Sequence, residues 1–203
     1  PRHCVTSASA AWRESAWDGL ANTSLAPSSH ARAVAAAPRA VRLLTMITGS
    51  DGLQKNGLGI LVFGANNTYT GTTYANGGIL DFGNISLAGL GGGSGRNVSV
   101  AAGASVKRNT LDNAFLSRLV ETNSEITVMT GTTANNLDFS SSTGASLANA
   151  FLGNWASNGA KCEISGVITP GGGAYRLGAP GGIQNGALGI TQTSLLSGDN
   201  QLV

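Results

Sequence analysis

The chain has 203 residues, a formal net charge of +2 and 30 glycines, with 41% hydrophobic, 5% aromatic and 11% charged residues. That apolar share is too high for a disordered chain, and the glycines lack the G-X-Y period of collagen. The charged share is well below the ~25% of ordinary globular domains, so Ser, Thr, Asn and Gly must cover most of the surface.

The charge is unevenly spread. Residues 1–46 hold Arg2, Arg13, Arg32, Arg39 and Arg42 against Glu14 and Asp18, with a single glycine, Gly19. Residues 47–203 hold seven basic and eight acidic side chains. The body therefore has no basic face for a phosphate backbone, and nucleic acid is not an expected partner. Residues 1–46 read as a leader that is disordered or lies outside the domain. A short helix could run from Ser9 to Leu20 with Trp12 and Trp17, but Pro27 and Pro38 break any longer one. The Arg- and Ser-rich composition superficially resembles a transit peptide, and the best signal-sequence candidate, Val41 to Ile47, is cut by Arg42. No run of ~18 apolar residues occurs, so no transmembrane segment is expected.

From residue 47 the rhythm changes. Gly52, Gly57, Gly59, Gly64, Gly71, Gly77, Gly78 and Gly83 punctuate two-step apolar alternations. Leu61 and Phe63 share one face, and Leu80 and Phe82 share the equivalent face of the next run. Strands this short cannot close a core alone and must stack on copies of themselves. Gly52, Leu53, Lys55, Gly57, Gly59, Leu61, Gly64, Asn67, Tyr69, Thr70, Gly71, Thr73, Gly77, Gly78, Leu80 and Gly83 fall on one long pattern. Over residues 47–83 this pattern resembles the autotransporter-associated β-strand repeat. The chain departs from it at Phe63, at Ile60, Val62 and Ile79 in place of Thr or Ser, at Thr72, and by an extra residue in Asn66-Asn67. The resemblance implies a passenger part of a bacterial secreted or surface-exposed protein, built as a right-handed parallel β-helix. It implies an architecture and a location, not an activity.

After a glycine-rich loop at Gly83 to Gly95, the rungs continue. Val98 and Val100 alternate, Ala101-Ala102-Gly103 turns, and Ala104 and Val106 alternate again. Leu111 to Val120 is the one helix expected in the body, capped by Asp112 or Asn113, as a decoration or a lid over one end. Strand rhythm resumes at Ser124 to Met129, Asn136 to Phe139, Ser146 to Leu152 and Ala160 to Ile168, with Trp155 closing a rung. It continues at Ala174 to Leu177, Leu188 to Leu196 and Gln201 to Val203, with turns at Pro170 to Gly173 and Ala179 to Gly182. The expected organisation is a β-solenoid over 47–203 with an open C-terminal end. At ~20–45 residues per repeat it offers about four to seven coils. Asn66, Asn67, Asn76 and Asn97 are candidates for stacked amides at the turns.

Little in the body points to chemistry. His3 and His30 both lie in the leader, which removes Ser-His-Asp and Cys-His nucleophiles and His-containing zinc sites from the repeat region. Cys4 and Cys162 have no metal or redox spacing and read as unrelated thiols, with a leader-to-body disulfide as the alternative. The body carboxylates are Asp51, Asp81, Asp112, Glu121, Glu125, Asp138, Glu163 and Asp199. Polysaccharide-cleaving β-helices need such acids to converge. The closest pair in sequence, Glu121 and Glu125, reads as solvated charges, although acids one coil apart could meet by stacking. Gly91 to Arg96 lacks the acid of a Ca²⁺-binding repeat and the Gly-Lys-Ser/Thr of a P-loop, so it reads as a turn. Trp12, Trp17, Trp155, Tyr69, Tyr74 and Tyr175 form no regular ladder and read as core or end-cap packing rather than sugar platforms. Asn22, Asn66, Asn84 and Asn97 start glycosylation sequons that Ser/Thr/Asn-rich sequence produces by chance.

The expectation is a non-enzymatic passenger or stalk segment, exported to the bacterial surface, with no catalytic, cofactor-binding or metal-binding residues. Its partners would be further coils of the same full-length chain, with extracellular glycans as a second class. The alternatives are a carbohydrate-active β-helix enzyme and a glycan-binding adhesin segment.

Overall fold

The computed structural model describes residues 31–34, 40–90, 95–120, 124–140, 147–154, 162–178, 188–190 and 201–202. Within these residues the chain is an all-β solenoid of about five turns. One sheet aligns Ala31–Val34 (β1), Leu53–Asn56 (β3), Thr73–Ala75 (β5) and Val98–Val100 (β7), and a bridge from Val98 to Leu119 extends it. The other aligns Ala40–Leu43 (β2), Ile60–Phe63 (β4), Ile79–Asp81 (β6), Ser105–Arg108 (β8), Thr127–Thr130 (β9) and Phe151–Asn154 (β11). All these neighbours are parallel, as winding in one sense requires. Isolated parallel bridges also join Asn67 to Leu90 and Thr133 to Ile164. Shorter parallel pairs follow: Leu137–Asp138 (β10) with Ile168–Thr169 (β13), Cys162–Ile164 (β12) with Leu188–Ile190 (β15), and Ala174–Tyr175 (β14) with Gln201–Leu202 (β16).

The alternation in sequence becomes columns in space. Val41, Leu61, Leu80, Val106, Val128 and Leu152 align strand to strand, about 4.8 Å apart. From Leu61 onward this column is buried. The Phe63 and Phe82 rings lie 5.3 Å apart, and Phe82 meets Phe115 at 5.4 Å, so the aromatic positions continue the core. Each such pair adds ~0.5–1.5 kcal/mol beyond its buried area. Coil length is elastic. Leu53 aligns with Thr73, 20 residues on, and Thr73 with Val98, 25 residues on. The longer coil takes up a 3₁₀ turn at Leu87–Gly89, capped by the Ser86 side chain.

Two glycine corners explain the tight stacking. A Cβ on Gly71 would lie 2.7 Å from Gly52 Cα, and a Cβ on Gly52 would run into the Thr72 backbone. Gly78 has φ +59 and its missing Cβ faces the Leu58-Gly59 backbone. Only a residue without a side chain lets successive corners touch there.

Three expectations change. The solenoid ladder does not begin at residue 47: β1 and β2 lie in the segment read as a leader, and pair with β3 and β4. Their Ala- and Arg-rich sequence hides them, because pairing with an existing edge, not propensity, selects the strand. The helix is one turn, Asn113–Leu116 (α1), not ten residues. Its start is as expected, since Asp112 accepts the Phe115 N–H at 2.7 Å. It stops because Leu119 joins the ladder through its bridge to Val98. Finally, the single run expected from Ala160 to Ile168 is two strands, β12 and β13, separated at Gly166, whose Cα packs against the Asn135 backbone. Trp12, Trp17, Trp155, His3, His30, Cys4, Glu121, Asp199, the Gly91–Ser94 stretch and the Ala179–Gly182 turn lie outside the described residues.

Candidate functional site: a polar seam between the coils

Lys55, Asn67, Tyr69 and Thr73 of the 47–83 pattern form a chain of buried polar contacts from coil to coil, while Thr70 is exposed. Asn67 is almost fully buried. Its Oδ1 accepts the Ile47 N–H at 3.0 Å, and its Nδ2 donates to the Gly89 carbonyl at 3.3 Å, so one amide clips three successive coils. The neighbouring Asn66 is exposed and accepts the Ser86 N–H at 2.9 Å. The two asparagines thus divide the inner and outer faces of one turn.

Tyr69 follows at the next inward position. Its hydroxyl bonds to the Thr73 hydroxyl and donates to the Leu90 carbonyl at 2.9 Å. With the Tyr69 proton on Leu90 O, the single Thr73 hydroxyl proton goes either to the Tyr69 oxygen or to Leu90 O, 3.3 Å away. Burial pushes the Tyr69 phenol up to about 12, against an opposing pull from the bond to Thr73. The phenol is therefore a neutral strut over the physiological range.

Lys55 is the most unusual member. It occupies an inward position of β3 and is fully buried. Its Nζ donates to the carbonyls of Asn56 at 3.2 Å, Gly57 at 2.7 Å and Gly77 at 2.8 Å. An ammonium has three donors, and here each has an acceptor on a corner of the same coil or the next. Burial pushes its pKa down. Outside, Asn76 Nδ2 donates to Asn56 Oδ1 at 3.0 Å, an exposed amide pair on the same two corners.

Further along, Lys107 Nζ meets Asp81 Oδ2 at 2.8 Å and Asn109 Oδ1 at 3.0 Å, while Asp81 Oδ1 accepts the Gly83 N–H. Asp81 and Lys107 are register partners on adjacent strands. Arg118 Nε donates to Asn97 Oδ1 at 3.0 Å, and burial lowers the Arg118 pKa. Thr133 and Asn135 both donate to the Leu111 carbonyl. Arg108 places its guanidinium over the Phe115 ring at 5.5 Å and donates to Ile85 O. Among the described residues, the buried Asn154 amide and Arg108 Nε have no hydrogen-bond partner.

Among the described residues the carboxylates do not gather. Asp81 is held by Lys107, Asp112 caps α1, and Asp138 accepts the Ser140 N–H at 2.8 Å. Glu125 and Glu163 are exposed. Among the described residues no group of three His, Cys, Asp or Glu side chains could hold a metal ion, and no helix is long and apolar enough to cross a membrane. A shallow recess open to solvent is lined by residues including Phe139, Leu152, Ile168, Tyr175 and Arg176, without a carboxylate. Tyr69 and Tyr175 are core residues, as expected, whereas Tyr74 is 39% exposed. Cys162 is a buried thiol.

The four candidate ladder asparagines, Asn66, Asn67, Asn76 and Asn97, all make contacts between coils. The Asp81–Lys107 pair was missed. A signal for it existed, because each residue directly follows the inward residue of its rung, Leu80 or Val106, which puts the two on one outward column. Comparison with family models, with curated proteins and with solved structures finds no match to this chain.

Proposed function

We propose that this chain is a structural passenger or stalk segment of an exported bacterial protein, a rigid spacer without chemistry of its own. The observation that carries this reading is the use to which the buried polar groups are put. Lys55, Asn67, Tyr69, Thr73, Asp81 and Lys107 bond across coils, whereas a catalytic centre needs such groups turned towards a bound substrate. Stacked parallel ladders also resist unfolding and proteolysis, which suits a spacer outside the cell. The location rests on the Gly52–Gly83 pattern. Protease shaving and surface labelling of intact cells that make the full-length protein test it: the segment should be reachable from outside, and finding it only in the cytosol would defeat the proposal.

A second reading, a glycan-binding segment, is favoured by one feature. Tyr74 is exposed and in register with Gln54 and Ser99 on the outward side of its sheet, an aromatic face between polar neighbours. Tyr74→Ala should abolish binding on a glycan array if this reading holds. The polysaccharide-cleaving reading has less support, because Asp81 and Asp112 are committed to an ion pair and a helix cap.

A further inference from the structure

Lys55 poses a question that a spacer role does not answer. A buried lysine ordinarily has a carboxylate partner, yet the ammonium here is held by neutral dipoles. Its three acceptors are the carbonyls of Asn56, Gly57 and Gly77, at 3.2, 2.7 and 2.8 Å. Two belong to the corner that follows β3, and the third to the equivalent corner one coil on. Asp81, a carboxylate of the neighbouring rungs, pairs with Lys107 rather than with Lys55. The side chain in register with Lys55 on the next coil is Ala75, fully buried and small.

Converging backbone carbonyls are how proteins replace the hydration shell of a monovalent cation without using an anion. Three acceptors around one nitrogen also match the three N–H bonds of a primary ammonium. We propose that the carbonyl oxygens of Asn56, Gly57 and Gly77 form a receptor for a primary ammonium group, with Lys55 as its tethered ligand, clamping two successive coils. Burial disfavours the charged form and lowers the Lys55 pKa, and the three carbonyls are the groups that offset this cost. This inference does not depend on where the protein is exported or what it binds.

Truncating Lys55 to alanine removes three methylenes and the ammonium, a fragment matched by n-propylammonium. The test is urea unfolding of the full chain as Lys55→Met and Lys55→Ala, the latter titrated with n-propylammonium chloride. Tetramethylammonium chloride at equal ionic strength is the control, since it carries the charge but no N–H. Lys55→Met should have a lower unfolding midpoint than the unsubstituted chain. Lys55→Ala should be stabilised saturably by n-propylammonium. Ligand at ten times its dissociation constant would raise the folded-to-unfolded ratio about elevenfold, and tetramethylammonium should give no such gain. The proposal is overturned if Lys55→Met matches the unsubstituted midpoint. It is equally overturned if Lys55→Ala responds no better to n-propylammonium than to tetramethylammonium, including the case in which it stays unfolded in both.

Discussion

Replacing Asn67 by alanine isolates the contribution of the seam. The substitution removes the acceptor of the Ile47 N–H at 3.0 Å and the donor to Gly89 O at 3.3 Å. The two losses are unequal. Gly89 O keeps the Asn67 backbone N–H at 3.0 Å, so its cost is that of one long bond, roughly 0.5–1 kcal/mol. The Ile47 N–H is left in a buried turn without its acceptor, which costs roughly 1–3 kcal/mol. With a small cavity added, the total is about 2–4 kcal/mol, a large part of the ~5–15 kcal/mol available to a typical domain. Urea unfolding followed by circular dichroism reads this directly. With a slope of about 2 kcal/mol/M the midpoint should fall by about 1–2 M. Amide exchange at Ile47 supplies the local check, because protection there should drop first. Asn67→Asp should be as damaging as alanine: it keeps an acceptor for Ile47 but turns a carboxylate towards the Gly89 carbonyl in a dry site. Asn66→Ala, at an exposed outer bond, should cost less than ~1 kcal/mol. Equal shifts for Asn66→Ala and Asn67→Ala, or an unaltered Ile47 exchange rate, would refute the reasoning.

The seam also predicts alkaline behaviour. Tyr69 titrates at about 12 when folded and near ~10 when unfolded. Its contribution is therefore complete below pH ~10 and is lost as pH rises through about 12, some 3 kcal/mol in all. Tyr69→Phe should cost about 1 kcal/mol at neutral pH and flatten that alkaline slope, as read by near-ultraviolet phenolate absorbance against unfolding midpoint. Gly71→Ala should cost at least ~2 kcal/mol, because its Cβ would lie 2.7 Å from Gly52 Cα. Gly95→Ala, with open space around it, should stay within ~0.5 kcal/mol of the unsubstituted chain by thermal unfolding. Asp81→Ala should cost about 3 kcal/mol by breaking a largely buried pair, while the double change Asp81→Leu with Lys107→Met should return close to parity in a double-mutant cycle.

Much of the fold was legible because its determinants are local. Two-step alternation at Leu61/Phe63, Leu80/Phe82 and Val98/Val100 sets which side chains turn inward whatever the strand pairs with. Glycine at 52, 71 and 78 marks corners where a Cβ would collide. The Asp112 cap is a contact over three residues and could be placed, although the helix it starts was overextended. What was not legible depends on the neighbouring coil. Strands β1 and β2 have sequences, ARAV and AVRL, that carry no strand signal and become strands beside β3 and β4.

The sequence by itself determined the period, the inward set and the corners, because these follow from backbone geometry and from the side chain present at each position. Only the tertiary structure decided how the polar residues are spent. Lys55 finds three carbonyls, Asn67 finds Ile47 and Gly89, and Asp81 finds Lys107. Most of these partners lie 20 to 26 residues away, a distance set by coil length. Coil length varies with each loop, so no local pattern states which groups will meet.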